Sequence, residues 1–286
     1  MKLRIIGIML VAALLISVVI FAGSHSRSKN TVQCNAYQGW EKVADVTAEK
    51  IVFFGELHGT NESPDAVAGL ICELVQLGKP IRFGVEASHD QGAALNDALK
   101  WPIDSQTMAE AAPRMWSVPD GRSSVAVFKL LEKIAYWKSS GANIEIFAFD
   151  STFKGDDAGL TRAKVMSREV DAAAREFEGA IVVLTGGYHI ALNSSHSTGR
   201  GGSLASEVRE RPVLVMDMQH EGGQAFVTAS QGGGEVIVGE WSFGRDMYSD
   251  GAIGTFVLSA DDERKGYYFV GPITSSPPAF PELIDD

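Results

Sequence analysis

The apolar residues of the chain follow two alternating patterns. Short apolar runs, typical of strands buried on both faces, lie at residues 51–54, 81–85, 143–149, 180–184 and 212–216. Between them, apolar residues spaced three and four positions apart predict helices, at residues 63–78, 91–100, 123–139 and 160–178. This alternation predicts an α/β fold, a mostly parallel sheet flanked by helices on both faces.

Two regions depart from that alternation. After residue 224, short strand patterns separated by glycines predict additional antiparallel strands in the C-terminal part, at residues 225–229, 236–238, 255–258 and 266–270. Residues 101–122 contain three prolines and are predicted to be irregular, as an inserted loop or a lid.

The N-terminus has the pattern of a targeting segment. Lys2 and Arg4 precede an apolar run over residues 5–23, and small residues follow. Residues 1–24 are therefore predicted to be a secretory signal peptide or, because the run is long, an N-terminal membrane anchor. The remainder, residues 35–286, is predicted to form a single domain in the periplasm or another extracytoplasmic space.

Export would place the two cysteines in an oxidising compartment. Cys34 and Cys72 can then form a disulfide that ties the N-terminal segment to the first helix. The alternative is that Cys72 is a small buried hydrophobe.

Composition narrows the classes of partner. The chain is 45% hydrophobic and carries a formal net charge of −11. Its hydrophobic content excludes a disordered chain, and its acidity disfavours nucleic acid and anionic lipid. We therefore expect a small-molecule or peptide substrate, no nucleic acid, and membrane contact only through the N-terminal segment.

An acid or a histidine follows each of the five predicted buried strands. In chain order these residues are Glu56 and His58, Glu86, Asp150, His189, and Asp217 with His220. Because the carboxyl ends of parallel strands meet at one edge of a sheet, and ligands bind there, we expect a polar cluster. A polar residue after a strand is often only a turn former, but five in succession indicate a site.

Hydrolysis is the chemistry that suits such a cluster. His58 would be a general base or a metal ligand, Glu56 and Glu86 would orient water or bind metal, and His189 would complete the site. These four side chains would also suit Zn, Mn or Co, and their spacing leaves metal and metal-free mechanisms open. The chain has neither the zincin nor the α/β-hydrolase motif.

Arg122 is a further candidate. It would lie at the start of a helix, which is unfavourable for a cation. It is either an exposed residue of a turn or an arginine folded over the site, where it would hold a substrate carboxylate or stabilise a developing oxyanion.

Two Gly-x-x-His motifs, Gly55–His58 and Gly186–His189, together with Glu86, resemble the erythromycin esterase/ChaN-like/Tiki superfamily. The resemblance covers roughly residues 50–220 and implies a ChaN/Tiki-like α/β domain. It implies that Glu56 and His58 match the first motif, Glu86 the acid and His189 the second histidine.

Members of this superfamily include metal-free esterases, metal-dependent proteases and exported haem-binding lipoproteins. The resemblance therefore implies an exported hydrolase of ester or peptide bonds that uses this His/Glu cluster, with or without a divalent metal. The alternative is a haem- or metal-binding envelope protein without catalysis, and a third reading is an inactive member that serves as an interaction module.

Overall fold

An eight-stranded sheet organises the residues that the computed structural model describes, which are 34–151, 160–192, 202–228, 236–241 and 251–284. Its strands are β1 (Ile51–Glu56), β2 (Ile81–Ser88), β3 (Ile144–Asp150), β4 (Ala180–Gly186), β5 (Val213–Thr228), β6 (Val236–Trp241), β7 (Thr255–Leu258) and β8 (Lys265–Ile273). The order is β3-β2-β4-β1-β5-β8-β7, with β6 paired to β5.

The pairing directions confirm the predicted fold class. The strands from β3 to β8 in that order pair in parallel, while β6 and β7 are antiparallel to β5 and β8. Four neighbouring parallel strands, β3, β2, β4 and β1, thus present their carboxyl ends at one edge of the sheet.

Helices cover both faces of the sheet. In the described residues they are α1 (Trp40–Val46), α2 (Glu62–Gln76), α3 (Gly92–Ala98), α4 (Ser105–Ala111), α5 (Pro113–Trp116), α6 (Val125–Ser139), α7 (Arg162–Ala174) and α8 (Leu204–Glu207). Ile51 and Phe53 pack with Met166 and Val170 of α7 on one face. On the other face Phe54 contacts Tyr268, whose hydroxyl reaches Ser63 of α2. Alternating residues of β1 therefore fill two separate cores.

The fifth strand is much longer than predicted. The apolar run ends at Met216, but β5 continues through a mainly polar and glycine-containing stretch to Thr228, with irregular register near Gln219 and Gly223. The strand patterns at 212–216 and 225–229 are thus parts of one strand. His220 consequently lies inside β5 and not beyond its end.

The prediction that residues 101–122 are irregular is wrong for residues 105–116. They contain α4 and α5, and Trp116 at the end of α5 is fully buried. Its indole Nε1 donates to the Met108 carbonyl at 2.9 Å, and its ring packs edge-on against Phe128 and Phe280. This packing anchors the segment to α6 and to the C-terminal part of the chain.

The N-terminal end of the described chain is covalently fixed. Cys34 and Cys72 form a disulfide between that segment and α2, as predicted. The described residues from Cys34 onward form one compact unit in which this bond lies. The predicted leader or anchor at residues 1–24 lies outside the described residues. Within the described ranges, none of the helices has both the length and the apolar character needed to cross a bilayer.

Candidate active site

Glu86 is the centre of a polar cluster at the carboxyl edge of the sheet. It lies near the end of β2, where its buried carboxylate reaches the neighbouring β4. Oε2 accepts hydrogen bonds from Thr185 Oγ1 at 2.7 Å and from the Gly186 backbone N–H at 3.0 Å. The carboxylate therefore joins the ends of two adjacent strands and is fixed in orientation.

His58 contacts a carboxylate at each ring nitrogen. Nδ1 lies 2.8 Å from Glu56 Oε1, and Nε2 lies 3.7 Å from Glu86 Oε2. Burial alone would lower the pKa of His58, but the hydrogen bond with Glu56 and the charges of Glu56 and Glu86 raise it to about 9. The imidazole is therefore a cation at neutral pH.

His189 approaches the same carboxylate from another side. It lies in a 3₁₀ turn, Gly187–Ile190, directly after β4, and its Nε2 is 3.5 Å from Glu86 Oε1. Ile190 is buried and lies against Gly55, which holds the turn to β1. Among the described residues no partner is recorded for His189 Nδ1, and the side chain is 20% exposed. One nitrogen thus faces Glu86, and the other can accept a proton.

Arg122 lies in the cluster but is enclosed by acids. Its Nη1 is 3.1 Å from Asp150 Oδ2 and 3.3 Å from Glu86 Oε1. Its Nε donates to both carboxylate oxygens of Asp120 at 2.8 Å. A guanidinium shared among three carboxylates orients those acids more directly than it would an oxyanion.

These charges also act on Glu86. Burial raises its pKa, but the charge of Arg122, the hydrogen bond with His189 and the charge of His58 together hold the pKa well below its usual range. Glu86 is therefore an ionised carboxylate at neutral pH. It is suited to holding imidazoles and not to acting as a general acid.

Arg162 is the site residue that the sequence reasoning missed. It is the first residue of α7, and it donates from Nε and Nη2 to Asp150 at 2.8 and 2.7 Å and from Nη2 to Glu86 at 2.8 Å. A cation at a helix start is unfavourable unless acids are near. An arginine at the start of a helix was the feature that made Arg122 a candidate, and Arg162 has the same feature.

Other strand-end candidates lie apart from the cluster. Asp217 is exposed on β5, in register with Gly55 and Tyr267. His220 is buried within β5, where its Nδ1 accepts from the Gly222 N–H at 3.3 Å. Sheet order explains the separation, because β5 lies on the far side of β1 from β4 and β2.

A divalent cation does not fit these donors. Glu86 is contacted by the guanidinium groups of Arg122 and Arg162, which repel a cation. Protonated His58 has no lone pair to offer a metal. Within the described ranges, no three His, Cys, Asp or Glu side chains are grouped so that they could hold a metal ion. The prediction that His58, His189, Glu56 and Glu86 ligate a metal gains no support.

Comparison with known proteins bears on the fold. No protein-family model matches the chain, and no curated protein matches it by sequence. Among solved structures, a histidine mutant of the erythromycin esterase EreC in its open conformation matches at 12% identity with a TM-score of 0.51, covering 70% of this chain and 79% of that one. This chain shares the fold of that esterase. The resemblance inferred from the Gly-x-x-His motifs is confirmed at the level of the fold.

Two further structures are similar. A protein from Bacillus cereus matches at 10% identity with a TM-score of 0.50, covering 74% of this chain and 76% of that one. The haem-binding ChaN of Campylobacter jejuni matches with a TM-score of 0.39, at 10% identity, over 63% of this chain and 85% of that one. The TM-score of 0.39 for the ChaN structure is too low to support a statement about this chain.

Proposed function

We propose that this chain hydrolyses ester or peptide bonds without a metal, using the two imidazoles that flank Glu86. The observation that carries the proposal is the difference between them. His58 has a carboxylate at each nitrogen, which keeps it protonated, whereas His189 has one nitrogen on Glu86 and the other without a recorded partner among the described residues. One imidazole held between two carboxylates and a second that has only one carboxylate contact can supply a general acid and a general base.

His189 is the base in this proposal. With Nε2–H directed at Glu86, its Nδ1 takes a proton from water as the water oxygen attacks the substrate carbonyl carbon. Glu86, ionised and held by Thr185 and Gly186, stabilises the imidazolium that forms. His58 is the less suitable base because its raised pKa leaves little neutral imidazole at pH 7.

His58 is the acid. The 3.7 Å between its Nε2 and Glu86 Oε2 exceeds a hydrogen bond, so this N–H is available to a substrate oxygen. It stabilises the oxyanion of the tetrahedral intermediate. His58 then donates its Nε2 proton to the leaving alcohol or amine as the carbonyl carbon–heteroatom bond breaks. The proton that His189 took from water returns to His58 through solvent, which restores both imidazoles.

Hydrolysis of p-nitrophenyl acetate, p-nitrophenyl butyrate and a fluorogenic peptide by the full-length protein tests the proposal. Removing a positioned acid or base costs about 10²–10⁴-fold in rate, so we expect such losses in His58→Gln and His189→Gln. His89→Gln, which changes a histidine outside the cluster, is the matched control. Wild-type rates in both cluster variants, or no hydrolysis by the wild type, would contradict the proposal.

Haem binding is the second candidate function. The observation that favours it is His189 Nδ1, which has no recorded partner within the described residues and could ligate haem iron. His58 is not suited to that role, because its raised pKa keeps the imidazole protonated and a protonated imidazole has no lone pair for iron. Titration with haemin separates the candidates, since a Soret band that is lost in His189→Gln would favour haem binding over hydrolysis.

Export is also part of the proposal. It is supported by the basic and then apolar pattern of residues 1–24 and by the disulfide between Cys34 and Cys72, a bond that persists in oxidising compartments. Cell fractionation and N-terminal sequencing of the purified protein test it and separate a cleaved signal peptide from a retained anchor. Recovery of the protein in the cytoplasm would contradict it.

A further inference from the structure

A short segment after β8 lies across the two loops that carry site residues. Residues 274–279, which we call the C-terminal strap, follow Ile273 and contain two prolines. One loop is the β1–α2 connection, which bears His58. The other precedes α6 and bears Asp120 and Arg122. Because both loops converge on Glu86, their mutual position determines the geometry of the site.

The strap is hydrogen-bonded to the His58 loop through its backbone. The Ser276 N–H donates to the Gly59 carbonyl at 2.7 Å, and the Asn61 N–H donates to the Thr274 carbonyl at 3.1 Å. The Thr274 hydroxyl also donates to Glu62 Oε1 at 2.6 Å. The first of these bonds is made one residue after His58.

The strap is also hydrogen-bonded to the start of α6. The Ser276 hydroxyl oxygen accepts from the Ala126 N–H at 2.9 Å, and the Pro277 carbonyl accepts from the Val125 N–H at 2.8 Å. The Ala279 N–H donates to the Ser123 carbonyl at 2.9 Å. Ser276 thus binds the His58 loop with its main chain and the helix that follows Arg122 with its side chain.

The two loops also touch directly, with no space for side chains between them. A Cβ placed on Gly121 would lie 2.5 Å from the Gly59 nitrogen, and both glycines have positive φ. The Phe226 carbonyl of β5 lies against both glycines, and the Gly59 carbonyl accepts from the Phe226 N–H as well as from Ser276. Ser276 is 1% exposed, so both of its bonds to the two loops are shielded from water.

We propose that Ser276 is a positioning residue that sets His58 relative to Arg122 through the two bonds it makes. The effect of this coupling on catalysis rests on the proposed function. The coupling between the positions of His58 and Arg122 does not depend on it. The simpler reading is that Ser276 only caps α6. Ser124 separates the two readings, because its hydroxyl caps the same helix at the Val127 N–H but has no recorded bond to Gly59 in the described residues.

The test compares Ser276→Ala with Ser124→Ala in the full-length protein. The first readout is the histidine-ring NMR spectrum, with the His58 signal assigned by its loss in His58→Gln. We expect Ser276→Ala to shift the His58 ring signal and Ser124→Ala to leave it in place. Equal shifts in both variants, or no shift in either, would overturn the coupling.

The second readout is hydrolysis of p-nitrophenyl acetate. We expect Ser276→Ala to lower kcat about five- to tenfold with KM unchanged, because the bond positions the catalytic group and not the substrate. A change in KM without a change in kcat would contradict the positioning role of Ser276. If the wild type does not hydrolyse the ester, the proposed function fails while the NMR readout still decides the coupling.

A third variant guards against a loss of folding in Ser276→Ala. Thr274→Val removes the hydroxyl bonds between the strap and the His58 loop and leaves the bonds to α6 intact. We expect it to shift the His58 ring signal in the same direction. An unshifted signal in a folded Thr274→Val protein would show that the contacts of the strap with the β1–α2 connection do not set the position of the His58 ring, which would contradict the proposal.

Discussion

Gly186 lies directly against the imidazole of His58. A Cβ built on Gly186 would come within 2.8 Å of His58 Nε2, closer than such atoms approach in proteins. The same residue donates its N–H to Glu86. The absence of a side chain at the end of β4 therefore gives the protonated imidazole its place beside the carboxylate.

We expect Gly186→Ala to displace the His58 ring and lower hydrolysis of p-nitrophenyl butyrate about 100-fold, since small displacements of catalytic groups cost rates of that order. Gly187→Ala is the matched control, because its Cβ would meet its nearest neighbour, the Glu56 carbonyl oxygen, at 3.5 Å. Steady-state kinetics and the His58 ring NMR signal measure the effect. Equal losses in both variants would contradict a specific contact with His58.

The raised pKa of His58 predicts a pH-dependent stability. The pKa rises from 6.5 in the unfolded chain to about 9 in the folded protein. The group therefore stabilises the folded state fully below pH 6.5, and this contribution is lost as the pH rises through 9. Urea unfolding at pH 6, 7.5 and 9 should show a decline that is smaller in His58→Gln. Parallel pH profiles for the two proteins would contradict it.

The β1 to β4 part of the fold could be predicted because its strands are continuous apolar runs. Ile51–Phe54 can only be buried on both faces, which requires covering helices and a parallel sheet. The continuation of β5 could not be predicted, since residues 217–224 are polar or glycine except for Met218 and resemble a turn. Pairing with β6 and β8 makes them a strand, and tertiary pairing overrides local preference.

The site could be predicted in part for a related reason. Residues that follow strands meet at one edge, which is why Glu56, Glu86 and His189 were found together. The order of strands in the sheet cannot be derived from the sequence. Asp217 on β5 and Asp150 on β3, which both follow apolar runs, were therefore equally good candidates for the site. The charge on His58 was visible only in part, because its pKa is raised first by Glu56, two residues away in the sequence, and then by Glu86 from another strand.

Replacement of Arg162 should destabilise the fold. Arg162→Gln leaves Asp150 and Glu86, both buried, with one cation fewer between them. Breaking a buried ion pair costs about 3–5 kcal/mol, and the partial exposure of Arg162 reduces this to about 2 kcal/mol. Arg175→Gln, on an exposed arginine at the other end of α7, should change the unfolding free energy by less than about 0.5 kcal/mol. Similar values for the two variants would contradict the prediction.

Chelation should leave hydrolysis unchanged. The guanidinium groups at Glu86 and the charge on His58 disfavour a divalent cation in this cluster. We expect dialysis against EDTA, followed by addition of Zn²⁺ or Mn²⁺, to alter the rate less than twofold. Mass-spectrometric metal analysis of wild type beside a His58→Ala/His189→Ala double variant is the direct measurement. One equivalent of metal that is lost in the double variant would reverse the assignment.

The disulfide between Cys34 and Cys72 should affect stability and not catalysis. It closes a loop with a sequence separation of 38 residues that includes β1 and His58. Such a bond restricts the unfolded chain and stabilises a protein by about 2–4 kcal/mol. Cys72 lies ten residues along α2 from Glu62, so about 15 Å of helix separates the bond from the site end of that helix.

The variant Cys34→Ala/Cys72→Ala should therefore unfold at a lower temperature while kcat and KM for p-nitrophenyl butyrate stay within about twofold of wild type. Dithiothreitol should lower the unfolding temperature of the wild type and leave that of the variant unchanged, which controls for effects of the reductant elsewhere. A variant as stable as the wild type would show that noncovalent contacts alone fix the N-terminal segment to α2. A large loss of kcat without a loss of stability would instead show that the bond acts on the site through α2.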